Sequence, residues 1–170
     1  MMIFLRLLAL ICGVAAVCRF NNGQYDLAWI VDRSNNVHFQ LRYFNFPPVN
    51  AYTGIAFGQS MESGLDTILV KLINGKISVT DEYVQGFGPS FPDRSQDVTV
   101  QNAEYSQGTL KVRFTRPIRP TEPVVDYALS GCTPWQFITA PGAVHDYFGR
   151  VGKHSRRPIT QIVCIDQCRV

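Results

Sequence analysis

The sequence predicts an all-β fold: an antiparallel, immunoglobulin-like β-sandwich of about ten strands, stapled by disulfides. Apolar and polar residues alternate with period two along much of the chain, which sends successive side chains to opposite faces of a strand. Turn-forming dipeptides separate the alternating runs. Four cysteines follow residue 17, an even number suited to two disulfides. No window of about twelve residues carries the apolar stripe of a helix.

The first expected strand covers 26–32. After the turn signal Ser34-Asn35-Asn36, residues 36–43 place Val37, Phe39, Leu41 and Tyr43 on one face and His38, Gln40 and Arg42 on the other. Strands at 52–57, 67–73 and 76–83 come next. The Asn74-Gly75 between the last two is the clearest hairpin signal, because a two-residue turn needs positions that tolerate positive φ. A strand at 97–103 precedes the Gln107-Gly108 turn. The strand at 109–116 then points Leu110, Val112 and Phe114 inward and Lys111, Arg113 and Thr115 to water. Runs at 124–129, 135–139 and 161–165 complete the set, with Ser130-Gly131 marking a turn.

With 170 residues, 46% of them apolar and 17% charged, the chain has the length and balance of one globular domain. Arg6 precedes an apolar run over 7–17 that ends in small residues at Ala15 and Ala16, the order of a secretory signal peptide. The run is too short to cross a bilayer. The expectation is a leader at 1–17, a single secreted domain over 18–170, and no membrane span after cleavage. Cys12 leaves with the leader, so Cys18, Cys132, Cys164 and Cys168 remain, with three possible pairings. Their positions suggest staples between the N-terminus, the Gly131-Cys132 turn and the last strand. Cys132–Cys164 with Cys18–Cys168 is the preferred pairing, and zinc is the lesser alternative because no CxxC pair is present. Loss of Arg6 lowers the formal net charge from +3 by one, too mild a balance to imply nucleic acid.

Several motifs recur in a telling order. Tyr25-Asp26-Leu27-Ala28-Trp29 opens the series, and Gly54-Ile55-Ala56-Phe57-Gly58 follows with a loop running from Met61 to Asp66. Asp81-Glu82-Tyr83, Pro92-Asp93 and Asp97 give acidic punctuation; Arg113-Phe114-Thr115-Arg116-Pro117 and Ala140-Pro141-Gly142 complete it. Together these motifs resemble the DOMON domain, an extracellular β-sandwich family known in dopamine β-monooxygenase and in the cytochrome domain of cellobiose dehydrogenase. The likeness spans residues 25–165. Some members hold a b-type haem between a loop methionine and a downstream histidine, and sugar-binding relatives are proposed as well. The resemblance therefore implies haem b as the cofactor and a redox protein as partner, with Met61 and His154 as axial ligands of the iron.

The residues themselves leave both functional and structural roles open. Met61 lies in the polar loop Gln59-Ser60-Met61-Glu62-Ser63-Gly64, where a thioether could serve as a soft iron ligand or fold back as an adaptable plug. His154 stands between Gly152 and Pro158, and His145 is its rival; His38 reads as a solvated strand residue. Arg150, Lys153, Arg156 and Arg157 could pair with haem propionates, or form a patch for a sugar or polyanion ligand. Aromatic residues at 44, 46, 52, 83, 87 and 91 suit either ligand, or the core alone. Asp81, Asp93 and Asp97 match no calcium-loop spacing and read as turn caps. Asp81 and Glu82 alternate faces, and neither a G-x-S-x-G nor an HExxH motif occurs, so the expectation is a binding or structural domain and not an enzyme.

Overall fold

A computed structural model describes residues 17–145 and 149–170, so the expected leader lies outside the described residues except for Val17. Among the described residues there are twelve strands: β1 (Cys18–Asn21), β2 (Tyr25–Val31), β3 (Asn36–Tyr43), β4 (Ala51–Ser60), β5 (Gly64–Ile73), β6 (Lys76–Val84), β7 (Phe91–Pro92), β8 (Thr99–Ser106), β9 (Thr109–Pro117), β10 (Cys132–Val144), β11 (Val151–His154) and β12 (Ile159–Cys164). A 3-10 turn at Ile165–Cys168 closes the chain.

The strands make two facing sheets, and every pairing between them is antiparallel. One runs β1-β2-β3-β9-β8; the other runs β11-β10-β4-β5-β6-β7, with β12 also paired to β10. Alternation decides which side chains fill the space between them. Trp29, Phe39 and Phe114 from the first sheet meet Phe57, Ile68, Trp135 and Phe137 from the second, all buried. Phe39 stacks on Phe114 at 4.9 Å, and Phe57 meets Trp135 edge-on at 5.1 Å. The expected hairpin forms at Asn74-Gly75, with φ of 50° and 77°. Disulfides join Cys18 to Cys168 and Cys132 to Cys164.

The structure departs from the expected elements in two ways. Residues 124–129 form a turn and loop in place of a strand. The Val125 and Asp126 amides both donate to the Glu122 carbonyl, Val124 is exposed and Leu129 is buried. Pro123 removes an amide that a strand would need. The short strands β1, β7 and β11 were not expected; each lies at a sheet edge and is too brief to show periodicity.

In β4 and β5 the alternation itself is missing: β4 is buried from Ala51 to Gly58 and β5 from Leu65 to Leu72. Their outer faces are therefore covered as well as their inner ones. The cover comes from the β4–β5 hairpin, the segment 85–90, and the return through β11 and β12.

Candidate functional site

The covered outer face of the seven-stranded sheet encloses a cavity of about 890 Å³, within the range of about 300–1,000 Å³ usual for ligand pockets. Its floor is apolar, with Ala56 from β4, Leu65 and Leu69 from β5, Val84 from β6 and Ile138 from β10. One wall is the hairpin residues Gln59, Ser60 and Met61. A second is Phe87, Gly88, Pro89 and Ser90. A third combines His145 with Lys153, His154, Arg157 and Pro158.

The third wall exists because the strand returning along β10 is broken. β11 pairs with Gly142 and Val144, β12 pairs with the stretch from Cys132 to Phe137, and residues 155–158 bridge the gap. Opposite the gap, β10 shifts register between Ile138 and Gly142. Pro158, with no amide to give, suits the break.

His154 ends β11 at this break. Its Nδ1 lies 2.6 Å from the Arg156 carbonyl oxygen. A carbonyl only accepts, so Nδ1 carries a proton, and the tautomer with its lone pair on Nε2 is the one that this contact selects. A backbone carbonyl fixing the tautomer in this way is a common support for a metal-binding histidine. Met61 sits on another wall, half-buried against Ala56, Leu65 and Val84. Its carbonyl accepts the Gly86 amide at 2.8 Å, which ties the hairpin to the second wall. The structure thus brings Met61, His154 and Lys153 to one cavity, together with Arg157. Arg150 is exposed and is not among the lining residues. His145 also lines the cavity, with its ring against Gly152, where a Cβ would lie 2.1 Å from Nε2. His38 is elsewhere, its Nε2 2.7 Å from Asp32 Oδ2.

Tyr52 shapes the same end of the cavity. Its ring lies over Gly142, where a Cβ would fall 2.2 Å from Cε1, and its hydroxyl donates to the Gly152 carbonyl at 2.8 Å. Burial and the nearby Glu82 push its pKa up to about 12, so the donor proton stays in place.

Sequence reasoning missed two polar groups beneath the walls. On the outer face, Lys71 pairs with Glu82, both almost wholly buried. Lys71 Nζ also donates to the Gly149 carbonyl at 2.7 Å, and Glu82 accepts from Ser90 at 2.5 Å and Thr80 at 2.6 Å. One ion pair thereby holds both the second and third walls. The lone lysine in the apolar run of β5 was the available signal. On the inner face, Asp81 and Asp93 do not cap turns. They join Asp66 and Asp126 in a buried cluster facing Arg116, while Asp97 caps Thr121 at 2.6 Å. As expected, Asp81 and Glu82 point to opposite faces.

The family model of the DOMON domain matches residues 21–142. The chain belongs to the DOMON domain family. Two solved structures share the fold of this DOMON domain. The cytochrome b domain of pyranose dehydrogenase from Coprinopsis cinerea superposes with a TM-score of 0.68 at 12% identity, over 89% of this chain and 83% of that one. The cytochrome domain of Myriococcum thermophilum cellobiose dehydrogenase gives a TM-score of 0.62 at 7% identity, with the same coverages of 89% and 83%. No curated protein matches the sequence. Identities this low establish the common fold of the three domains.

Proposed function

We propose that this DOMON domain is exported and binds a b-type haem in the outer-face cavity, with Met61 and His154 as axial ligands, to hold haem or pass single electrons to a protein partner. The observation that carries the proposal is the His154 ring, pinned through Nδ1 to the Arg156 carbonyl in a cavity that Met61 also lines. The donor set fits the group: a thioether and a neutral imidazole suit low-spin iron of raised potential. The apolar floor suits a porphyrin face, and Lys153 and Arg157 can meet propionates by charge-assisted hydrogen bonds. Haem in such a site supplies one-electron exchange. The chain's part is to exclude water over the floor, orient the imidazole and neutralise carboxylates. Met61 and His154 would hold the iron between them, and a site so filled would carry electrons or haem and offer no place for a substrate. The likeness to two cytochrome domains supports it, and two disulfides together with the leader-like N-terminus support export.

The test is the visible spectrum of the oxidised chain with one equivalent of haemin, before and after dithionite. The expected result is a sharp Soret band with split α and β bands on reduction, altered by Met61→Ala and by His154→Ala. A free-haemin spectrum, or a bound spectrum indifferent to both substitutions, overturns the assignment.

A second reading has its own support. Phe87 is 81% exposed and lines the same cavity as the cations Lys153 and Arg157. An exposed ring and cations lining one cavity suit a sugar or polyanion there. Glycan-array hits lost in Phe87→Ala, or salt-sensitive heparin retention lost in Lys153→Ala, would favour it over haem.

A further inference from the structure

We infer that Asp66, Asp81, Asp93 and Asp126 form a calcium site that clamps the two sheets together at one end of the sandwich. The site does not depend on the haem reading, since Asp66 and Asp81 lie on the face of β5 and β6 opposite the cavity.

Asp66, Asp81 and Asp126 each offer an oxygen within 4.8 Å of the others, and all three are buried. A cluster of acids alone would mean little, but here the oxygens are left over after all local bonding is counted. Asp66 gives Oδ2 to Arg116 at 2.8 Å and to the Tyr127 amide at 2.7 Å, and Asp81 gives Oδ2 to the Asp97 amide at 3.2 Å. Their other oxygens have no partner, and neither has any oxygen of Asp93 or Asp126, which makes six buried carboxylate oxygens without a donor. Asp93 is the independent observation. It lies outside the close triad, is 6% exposed, and faces Asp126 within hydrogen-bonding reach. Two carboxylates meet like that only around a shared proton or a cation. Arg116 pairs with Asp66, acts electrostatically on Asp81 and Asp126 as well, and rests on the Phe57 ring at 4.9 Å, so one guanidinium is set against three of these carboxyls. Burying so much unpaired negative charge is costly unless a cation compensates it.

The chemistry names the ion. The donors are all oxygen, which excludes the softer metals that prefer nitrogen and sulfur. Calcium accepts six to eight oxygens in irregular arrangements, whereas magnesium keeps much of its water and fits a dry all-carboxylate site poorly. The ligands come from β5, from β6, from the segment after β7 and from the loop after β9. A bound ion would join these four segments, and through Arg116 the opposite sheet.

The experiment uses the full oxidised chain, stripped with EDTA and then exchanged into calcium chloride. Metal analysis after gel filtration should find about one calcium per chain. Thermal unfolding should shift upward by roughly 5–10 °C when calcium exceeds its Kd about a hundredfold, and return with EDTA. Asp93→Asn and Asp126→Asn should abolish retention and shift, while Glu104→Gln, on an exposed strand, should leave both intact. The wild-type chain alone decides the matter if the variants fail to fold. No retained ion and no shift would mean that shared protons neutralise the cluster, and the site falls. Retention that survives both Asn substitutions would place the ion elsewhere and overturn the site equally.

Discussion

Gly142 has no side chain because the Tyr52 ring occupies the space where one would lie. Tyr52 is 4% exposed and cannot swing clear. Gly142→Ala should therefore cost about 1–3 kcal/mol in chemical denaturation, as overpacking does, and weaken haemin binding by displacing Tyr52 at one end of the cavity. Without calcium, the carboxyls of the inner cluster are a second matter of single residues. Desolvation raises Asp66 to about 6 and Asp81 to about 7, against the opposing charge of Arg116 and the amides of Tyr127 and Asp97, and it raises Asp93 and Asp126 too. A raised folded pKa means that the folded chain holds more protons than the unfolded one above pH 4 or so, about where free carboxylates titrate. The resulting stability is full below that value and is lost as pH rises through the folded values. The EDTA-treated chain should accordingly unfold at a higher temperature at pH 5 than at pH 8. A flat or rising profile in differential scanning calorimetry would contradict the burial of these groups.

Among elements, the cavity walls are loops, and loops need anchors. The Lys71–Glu82 pair is such an anchor, bonded to Gly149 on one side and Ser90 on the other. Removing one partner strands the other charge in a dry place, so Glu82→Ala should cost about 3–5 kcal/mol. The double change Lys71→Met with Glu82→Leu should cost less than either truncation alone, since an apolar pair of similar volume leaves no buried charge. Urea unfolding of Glu82→Ala, of Lys71→Ala and of the double variant measures this. Hydrogen exchange should also show faster opening of residues 85–90 in the double variant, because packing cannot replace the two loop contacts.

Across the whole molecule, the Cys18–Cys168 bridge closes a loop of 150 residues and binds the edge strand β1 to the closing 3-10 turn. A loop that long is worth about 4–5 kcal/mol in the chain-entropy account. Replacing both cysteines with serine should lower stability by an amount of that order, with Cys132–Cys164 left intact. A loss below about 1 kcal/mol would show that the edge strand and the Val31–Arg169 bridge already hold the terminus.

How much of this was legible depends on whether the information is local. β3 and β9 announce themselves by alternation, and Asn74-Gly75 announces its hairpin, because one face of those strands is wet and the turn needs positive φ whatever surrounds it. Met61 and His154 could be named from their motif positions. The run 124–129 misled because apolar residues in a loop read like a strand until Pro123 and the Glu122 turn are given their due. By itself, then, the sequence determined the sandwich and its Asn74-Gly75 hairpin, which follow from periodicity and turn residues, and its ordered motifs carried the resemblance to the family. Only the tertiary structure decided that the outer face of β4 and β5 is roofed into a cavity, that Arg150 is not among its lining residues, and that Asp66, Asp81 and Asp126, far apart in the chain, meet beside Arg116. Those outcomes depend on which segments cross in space, and a desolvated charge is recognisable only once its neighbours are known.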